Sequence, residues 1–412
     1  MPTLIDAIPH KAASKATATQ LAVALLTGGV DRHYAYGLAI ALNADHMQID
    51  VIGNDAVDSP EMHSTPGLTF FNLWPPRAAT PTRSAKVRRI LRHYWALARY
   101  AATARPRIFH ILWNSKIAII DRVVLMLYYR GLGKKIAFTA HNVNQARRDS
   151  RDSWLNRFTL KIQYRLANQI FVHTGRMKSE LIEDFGVPSQ RVTILSYPNN
   201  NAFPVTGLTP SAAKARLGLS ISHKTILCFG KIKPYKGIEY LFPALQTLAA
   251  EDDTYRLVIA GEVQKDGRQY LKSLMQMIPS EIQQRRIILK TEFIPDEEME
   301  VYFKAADVLV LPYKEIFQSG VLFLGYSFGL PVIVTDVGSF KEDVVVGKTG
   351  YVCKPDDPAD LAKAIGTYFA SGLYHDLGCT RQQIKSYSDK HHSWEAVADL
   401  TRSAYEGMLG QR

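Results

Sequence analysis

The chain has 412 residues, of which 47% are hydrophobic and 21% charged, with 50 Lys and Arg against 38 Asp and Glu. This length exceeds what one hydrophobic core usually serves, so two domains are expected, with enough apolar residues for both cores. The three cysteines are scattered without a CxxC or His pairing, which argues against a disulfide framework or a zinc site and favours the cytosol.

Neither a signal peptide nor a membrane span is expected. The first twenty residues lack the apolar core with basic flanks that marks a secretory signal. The most apolar segment, residues 117–129, is interrupted by Asp121 and Arg122 and is too short to cross a bilayer.

The first half alternates short apolar runs with segments of helical period. Strands are predicted at residues 20–27, 47–53, 68–74, 107–113, 134–142 and 168–174. Helices are predicted at residues 35–43, 86–104, 116–129, 154–166 and 177–185. Such alternation is typical of a parallel sheet covered on both faces.

The net positive charge lies entirely in the first half. Residues 1–200 hold 26 Lys and Arg against 13 Asp and Glu, whereas residues 201–412 hold 24 against 25. The excess peaks in residues 83–107, where apolar residues alternate with bases and no acid occurs. The candidate membrane-contacting residues there are Arg83, Lys86, Arg88, Arg89, Arg92 and Trp95.

Three interpretations of this basic segment stay open. A basic amphipathic helix can lie on an anionic membrane surface, each near-surface base contributing about 1 kcal/mol. The same charge would attract nucleic acid, but no nucleic-acid-binding motif accompanies it and no such partner is expected. The third interpretation is a scaffold helix whose bases are merely solvated.

A second alternating series runs from residue 224 to about 369. Residues 199–223 are rich in Asn, Pro, Ser and Thr, so we predict domains at 1–200 and 224–390 with a linker at 201–223. Residues 394–409 are predicted to form a final helix. In such sheets ligands bind beyond the carboxyl ends of the strands, so a cleft between the two edges is the expected ligand site.

Two loops of the second half have the composition of phosphate sites. In the first, Gly230 and Lys231 follow a strand, and Lys236 precedes Gly237 and a helix. Two ammonium groups therefore converge near a helix N-terminus, which favours an anion. The alternative is that both lysines are solvated surface charges.

The second loop reads Gln318, Ser319, Gly320, Val321 and opens another helix. Ser319 is predicted to cap that helix, and Gly320 leaves the backbone N–H groups open to a pyrophosphate. The alternative is that Ser319 is only a cap.

These loops resemble those of the GT-B glycosyltransferases, retaining family 4 type. The family pattern corresponds here to Gly230-Lys231-Ile232, Lys236-Gly237, Gly329-Leu330-Pro331-Val332 and Thr335-Asp336-Val337-Gly338. The resemblance implies two Rossmann-like, doubly wound domains facing each other across a cleft, with residues 391–412 crossing back to the first. It also implies a nucleotide diphosphate sugar donor, with Gly28 and Gly29 beside the transferred sugar.

Two departures from the family pattern matter. Lys231 replaces the usual Arg, so the planar guanidinium that can bind a phosphate through two hydrogen bonds is absent. The usual pair of glutamates separated by seven residues falls on Ile316 and Leu324, as in a subgroup whose loop reads Gln-Ser-Gly. Glu315 is one residue away, so Glu342 or a backbone group is the candidate for the ribose contact.

His141 is the first-half candidate for contact with the reacting sugar, because Thr139-Ala140-His141 resembles the family's strand-end Thr-x-His. A neutral imidazole there can hydrogen-bond a sugar hydroxyl. Arg147 and Arg148 follow and are candidates for a negatively charged acceptor, or for a solvated loop. His391 and His392 are predicted to lie on the surface.

The expected function is a hexosyltransferase that passes a sugar from a nucleotide diphosphate donor to a hydroxyl of a membrane-associated acceptor. A lipid-linked saccharide of exopolysaccharide or cell-envelope assembly is the acceptor favoured, with the protein peripheral on the cytoplasmic membrane face. His141, Lys231 and Lys236 are the expected catalytic residues. No Asp-x-Asp motif occurs, so metal independence is expected. The alternatives are a nucleotide-sugar epimerase of the same fold and an inactive basic adaptor.

Overall fold

A computed structural model describes residues 21–44, 46–75, 82–148, 151–199, 205–263, 267–277 and 285–410. Two parallel sheets organise these residues. Both are built from short apolar strands with helices on each face, so the expected pair of doubly wound, Rossmann-like sheets is confirmed.

The first sheet has seven parallel strands in the order β3-β2-β1-β4-β5-β6-β7. They are β1 Ala22–Leu26, β2 Gln48–Gly53, β3 Leu68–Asn72, β4 Ile108–Ile111, β5 Lys135–Thr139, β6 Gln169–Val172 and β7 Val192–Ile194. Each predicted strand of this half is present, with ends that differ by at most three residues. The short edge strand β7 was not predicted.

Seven helices cover the described part of this sheet. They are α1 Arg32–Asn43, α2 Pro60–Ser64, α3 Arg83–Thr103, α4 Leu125–Gly131, α5 Gln145–Arg148, α6 Trp154–Leu166 and α7 Gly175–Glu183, with a π-helical turn Ile120–Val124 leading into α4. The starts of α3, α6 and α7 follow from sequence, because Thr82, Ser153 and Thr174 each accept a hydrogen bond from a first-turn N–H.

The second sheet has six parallel strands in the order β10-β9-β8-β11-β12-β13. They are β8 Lys224–Phe229, β9 Tyr255–Ala260, β10 Ile287–Lys290, β11 Val308–Leu311, β12 Val332–Thr335 and β13 Gly350–Cys353. The helices of this half are α8 Pro210–Arg216, α9 Leu241–Glu251, α10 Arg268–Gln276, α11 Asp296–Ala305, α12 Gly320–Ser327, α13 Phe340–Asp343, α14 Pro358–Phe369, α15 Gly372–His375, α16 Leu377–His391 and α17 Trp394–Gly410.

Part of the segment whose composition indicated a linker is a packed helix. Thr209 caps α8, and Pro210 occupies its first turn. The Lys214 ammonium is buried and donates to Asp307 Oδ2 at 2.8 Å, so α8 is tied to the second sheet. Residues 201–204 lie outside the described residues.

The chain passes between the two halves twice, near Asn199 and near His392, and these two segments contact each other. Asn199 N–H donates to His392 O at 2.9 Å, and Asn199 Nδ2 donates to Asp389 at 3.0 Å. Beyond this crossing, α17 packs against α1 of the first half. None of the helices in the described ranges is both long and apolar enough to cross a membrane.

Candidate active site

A cleft of about 730 Å³ opens between the carboxyl ends of the two sheets. The first half contributes residues 30–34, which lead from β1 into α1. The second half contributes Gly230 and Lys231 after β8, and Gly320 and Val321 at the start of α12. The two phosphate-type loops therefore meet at one cavity, although they lie some ninety residues apart in sequence.

The two lysines of the first loop differ in environment. Lys231 is exposed and lines the cleft. Lys236 is buried, and its Nζ donates to Tyr313 Oη at 2.7 Å and to Phe229 O at 3.3 Å. Gly230 has φ +100°, and a Cβ there would lie 2.9 Å from Lys236 Nζ. Lys236 thus lies directly beneath the loop whose surface carries Lys231.

The second loop leaves its amides uncapped. Ser319 occupies the N-cap position of α12, but its side chain makes no capping hydrogen bond, so that prediction is wrong. Its hydroxyl instead lies 3.5 Å from Tyr313 Oη. Because the first N–H groups of a helix have no intrahelical acceptor, Gly320 and Val321 present theirs at the cleft wall. Gln318 and Ser319 are not among the residues found lining it.

The loop before α12 is fixed to both halves. Phe317 O accepts a hydrogen bond from Ser339 N at 3.0 Å, and Gly338 packs against Ile316 O so closely that a Cβ would stand 2.1 Å away. The Phe317 side chain is buried in a hydrophobic cluster whose other members belong to the first half. Gln318 follows, and its buried Oε1 has no hydrogen-bond partner among the described residues.

His141 is held in a defined tautomer. His173 Nδ1 lies 3.2 Å from Leu195 O, which can only accept, so Nδ1 carries the proton. His173 Nε2 must then accept from His141 Nδ1, 3.1 Å away. His141 Nε2 is therefore a bare acceptor, and it is buried without a partner in the described structure.

Burial keeps these imidazoles neutral. It lowers the pKa of His173 to about 4, and burial beside His173 and His110 holds the pKa of His141 well below 6.5. The His141 ring stacks on Trp113, with centroids 4.1 Å apart, and meets the edge of Tyr34, which lines the cleft. His141 can accept a hydroxyl proton in a hydrogen bond but carries no charge.

An ion pair closes one side of the cleft. Arg32 Nη2 donates to Asp296 Oδ2 at 2.5 Å, and His33 Nε2 lies 3.2 Å from Asp296 Oδ1. Asp31, at φ +48°, caps α1 by accepting from Tyr34 N at 3.0 Å. Burial raises the pKa of Asp31, and nearby His33 and Lys231 counteract this rise. These residues were not predicted from the sequence, although an Asp before a segment of helical period is a recognisable N-cap signal.

Gly28 and Gly29 line a second, smaller crevice and are not among the residues found lining the main cleft. Their φ values are +61° and +75°, and a Cβ on Gly28 would stand 2.7 Å from Trp113 O. This close approach requires glycine. At the glycine pair, the turn after β1 therefore packs directly against the loop after β4.

Other candidates lie away from the cleft. Glu342 is exposed on α13, and the carboxylates found lining the cleft are Asp31, Asp296 and Glu297. Arg147 pairs with Asp184 at 3.3 Å, and the side chain of Arg148 lies outside the described residues. Within the described ranges, no group of three or more His, Cys, Asp or Glu side chains is arranged to hold a metal ion.

The basic segment forms α3, and its bases are not equivalent. Arg83, Lys86, Arg88 and Arg92 are exposed. Arg89 instead donates through Nε to Pro75 O at 2.7 Å and lies over the Trp74 ring. An exposed apolar stripe runs beside these bases at helical spacing, formed by Val87, Leu91 and Trp95.

The fold and the cleft define a two-domain α/β protein of the GT-B type. The model described as "Glycosyl transferases group 1" matches residues 223–371, and the model described as "Glycosyltransferase Family 4" matches residues 27–197. Together the two matches cover every described strand of both sheets except β1. The chain belongs to the group 1, family 4 glycosyltransferases.

A curated relative shares part of the sequence, and solved structures share the fold. The D-inositol 3-phosphate glycosyltransferase of Geodermatophilus obscurus is 25% identical over 250 residues, 58% of this chain and 52% of the relative. The chain therefore spans about half the length of the curated relative it matches. In structure, sucrose-phosphate synthase from Thermosynechococcus elongatus has a TM-score of 0.74 at 19% identity, over 95% of this chain and 100% of that one. Anabaena HepE in complex with UDP-glucose has a TM-score of 0.70 at 14% identity, over 94% and 99%.

Proposed function

We propose that this protein transfers a sugar from a nucleotide diphosphate donor to a hydroxyl of a membrane-associated acceptor. The observation that carries the proposal is the meeting of Lys231 and the uncapped amides of Gly320 and Val321 at one cleft. Two separate anion-favouring features around one cavity fit a diphosphate better than a single phosphate. The similarity in fold to a protein that binds UDP-glucose supports a UDP-sugar as the donor.

Transfer of the sugar requires that the diphosphate be stabilised as it leaves. Negative charge grows on the phosphate oxygens when the bond to the sugar breaks. Lys231 and the amides of Gly320 and Val321 would neutralise that charge, while Lys236 beneath Gly230 adds positive potential from below. This arrangement needs no metal ion. Retention of anomeric configuration is implied by the family resemblance, as is placement in the Gln-Ser-Gly loop subgroup.

His141 is the proposed contact to the transferred sugar. Its Nε2 has a lone pair and no partner within the described structure, so a sugar hydroxyl that donates to it would satisfy a buried acceptor. This contact would favour a donor sugar with a free hydroxyl group. The ribose contact is proposed to come from a carboxylate lining the cleft rather than from exposed Glu342.

The membrane-facing surface is proposed to be the outer side of α3, α4 and α6. Exposed apolar side chains continue from the α3 stripe to Val124, Leu127, Trp154 and Phe158 on the neighbouring segments. Bases beside an apolar stripe suit an anionic bilayer. A lipid-linked saccharide presented from the cytoplasmic face of the membrane, in exopolysaccharide or cell-envelope assembly, is the proposed acceptor.

The test measures binding and turnover of a panel of UDP- and GDP-sugars, with and without membrane extract. The wild type is compared with a Lys231→Ala, Lys236→Ala double variant. We expect one donor to bind the wild type, to lose affinity in the double variant and to be consumed only with extract. Turnover without extract would favour the epimerase, and anionic-lipid binding without any nucleotide-sugar binding would favour the adaptor.

A further inference from the structure

A second crevice, separate from the main cleft, lies behind Gly28 and Gly29. Its walls come from α3 and α4, through His93, Leu97, Leu125 and Tyr129, and from the turns after β1 and β4. It has room of about 30 Å³, enough for two or three waters or for the end of a small polar group. The crevice and the main cleft share the turn that leads from β1 into α1.

One polar group in this crevice lacks a partner. The Tyr129 side chain is fully buried, and its hydroxyl makes no hydrogen bond to any described residue. A buried hydroxyl without a partner costs free energy unless a ligand or water satisfies it. Three other polar side chains of the wall are engaged: His93 bonds to Leu73 O and Ser115, and Asn114 pairs with Gln163.

The crevice has one acidic side chain in its wall. Asp121 is buried there; burial raises the pKa of its carboxyl to about 6, whereas hydrogen bonds from Tyr94 and from the backbone of residues 115–117 lower it. Burial lowers the pKa of His93 to about 4, which leaves that imidazole neutral. The residues found lining the crevice include neither Lys nor Arg. A phosphate or carboxylate entering it would meet a like charge, whereas a hydroxyl could donate to Asp121 and accept from Tyr129.

We propose that this crevice receives a hydroxyl-bearing arm, such as a hydroxymethyl group, of a neutral sugar at the reacting end of the acceptor. Tyr129 and Asp121 are the specificity-determining residues. The same helices expose their outer faces as the proposed membrane surface, so an acceptor held at the bilayer could reach the crevice along them. This inference rests on the proposed function and adds the chemical class of the acceptor.

The first test uses Tyr129→Phe, with Tyr374→Phe as its control. Tyr374 lies on α15 of the second half, where its ring packs against Tyr368 and Phe369, so this variant removes one hydroxyl away from the crevice and from the proposed membrane surface. Transfer from the UDP-sugar consumed by the wild type is measured against the concentration of membrane extract. We expect Tyr129→Phe to lower kcat/KM for the extract acceptor by about three- to ten-fold, the range of one hydrogen bond, with donor KM and Tm not reduced. Tyr374→Phe is expected to behave as wild type.

The second test addresses charge. Extract is treated with alkaline phosphatase, which removes phosphomonoesters but leaves a lipid pyrophosphate diester intact. Unchanged acceptor activity is expected, and its loss would overturn the neutral-sugar assignment. Asp121→Asn should also lower kcat/KM for the acceptor, whereas Tyr129→Phe remains decisive if that variant folds poorly.

The proposed function and the crevice assignment would be contradicted by different results. If the wild type consumes no nucleotide sugar, the proposed function fails and the crevice assignment fails with it. If the wild type transfers sugar and Tyr129→Phe transfers it equally well, only the crevice assignment is overturned, and the cavity holds water alone.

Discussion

Gly320 lies against the hydroxyl of Tyr197, such that a Cβ built on Gly320 would stand 3.0 Å from Tyr197 Oη. Tyr197 follows β7 and also stacks on Phe323 of α12, with ring centroids 5.2 Å apart. The first turn of α12 is thus packed against the segment that joins the two sheets. The space in front of its amides is limited by a side chain from outside the second sheet.

Gly320→Ala is expected to weaken UDP binding by about ten-fold, or about 1.4 kcal/mol. The added methyl must displace Tyr197 and would stand at the amides proposed to bind the diphosphate. Stability should not fall much, because Ala is favoured over Gly in helices by about 1 kcal/mol. Calorimetric titration with UDP and thermal unfolding measure the two effects.

Gly175→Ala is the matched control for Gly320→Ala. Gly175 also opens a helix, α7, and nothing lies within 4 Å of a Cβ built there. This variant should bind UDP as the wild type does. If both variants retain wild-type affinity, the diphosphate does not bind at the start of α12.

Substitutions of the two lysines of the first loop should differ in their effects on UDP affinity and on stability. Lys231→Ala removes an exposed charge, so UDP binding should weaken and become less salt-dependent while Tm stays constant. Lys236→Met removes a buried donor to Tyr313 and Phe229, which should also lower the unfolding free energy by about 1–3 kcal/mol. Titrations at two salt concentrations and thermal unfolding provide the measurements. Equal Tm losses in both variants would contradict the distinction.

The sequence could predict the sheets because each strand is a compact apolar run flanked by Gly, Pro or polar turns. It could also have predicted α8, since Thr209 and Pro210 form an ordinary helix start. It could not predict that Ser319 fails to cap α12, because Tyr313, in the same loop after β11, lies near the hydroxyl only once that loop has folded.

The predicted surface position of His392 is wrong for the same kind of reason. Its Nδ1 donates to Tyr197 O at 3.1 Å, and its ring packs against Phe323. Both partners are distant in sequence, so only the crossing between the halves buries this imidazole. The opposite exposures of Lys231 and Lys236 likewise depend on where Tyr313 lies.

Three histidines of the first half are expected to remain neutral across the physiological range. Burial lowers the pKa of His110 to about 3 and of His173 to about 4, and it also lowers that of His141. Their C2-proton NMR signals should not shift between pH 8 and pH 5.5. Titration of His141 near pH 6.5 would contradict its assignment as a neutral acceptor.

These histidines also affect stability in a defined direction. In the unfolded chain each takes up a proton near pH 6.5, whereas the folded forms do so only at lower pH. Between these values the unfolded state binds more protons, so their contribution to the unfolding free energy is present above pH 6.5 and is lost as pH falls toward 4. His173→Gln removes one such group, so its stability deficit relative to wild type should shrink across this window in thermal unfolding.

The α3 surface makes a prediction about membrane binding. Leu91 and Trp95 are 63% and 65% exposed beside the exposed bases of that helix. Leu91→Ser, Trp95→Ser is expected to reduce binding to vesicles of phosphatidylcholine and phosphatidylglycerol by about ten-fold, because apolar insertion is lost. Wild-type binding should also weaken in pure phosphatidylcholine or at high salt, because the bases contribute electrostatically. Vesicle co-sedimentation measures both effects.

Ile221→Ser, Val346→Ser is the control, since these residues are 65% and 62% exposed in the second half, where the net charge is close to zero. It removes a comparable amount of exposed apolar surface and should bind vesicles as wild type does. Equal vesicle binding by wild type and by both variants would leave α3 as a scaffold helix with solvated bases. Loss in the α3 variant alone would identify α3 as the contact, because the exposed Leu91 and Trp95 side chains and the bases beside them then act together at the bilayer.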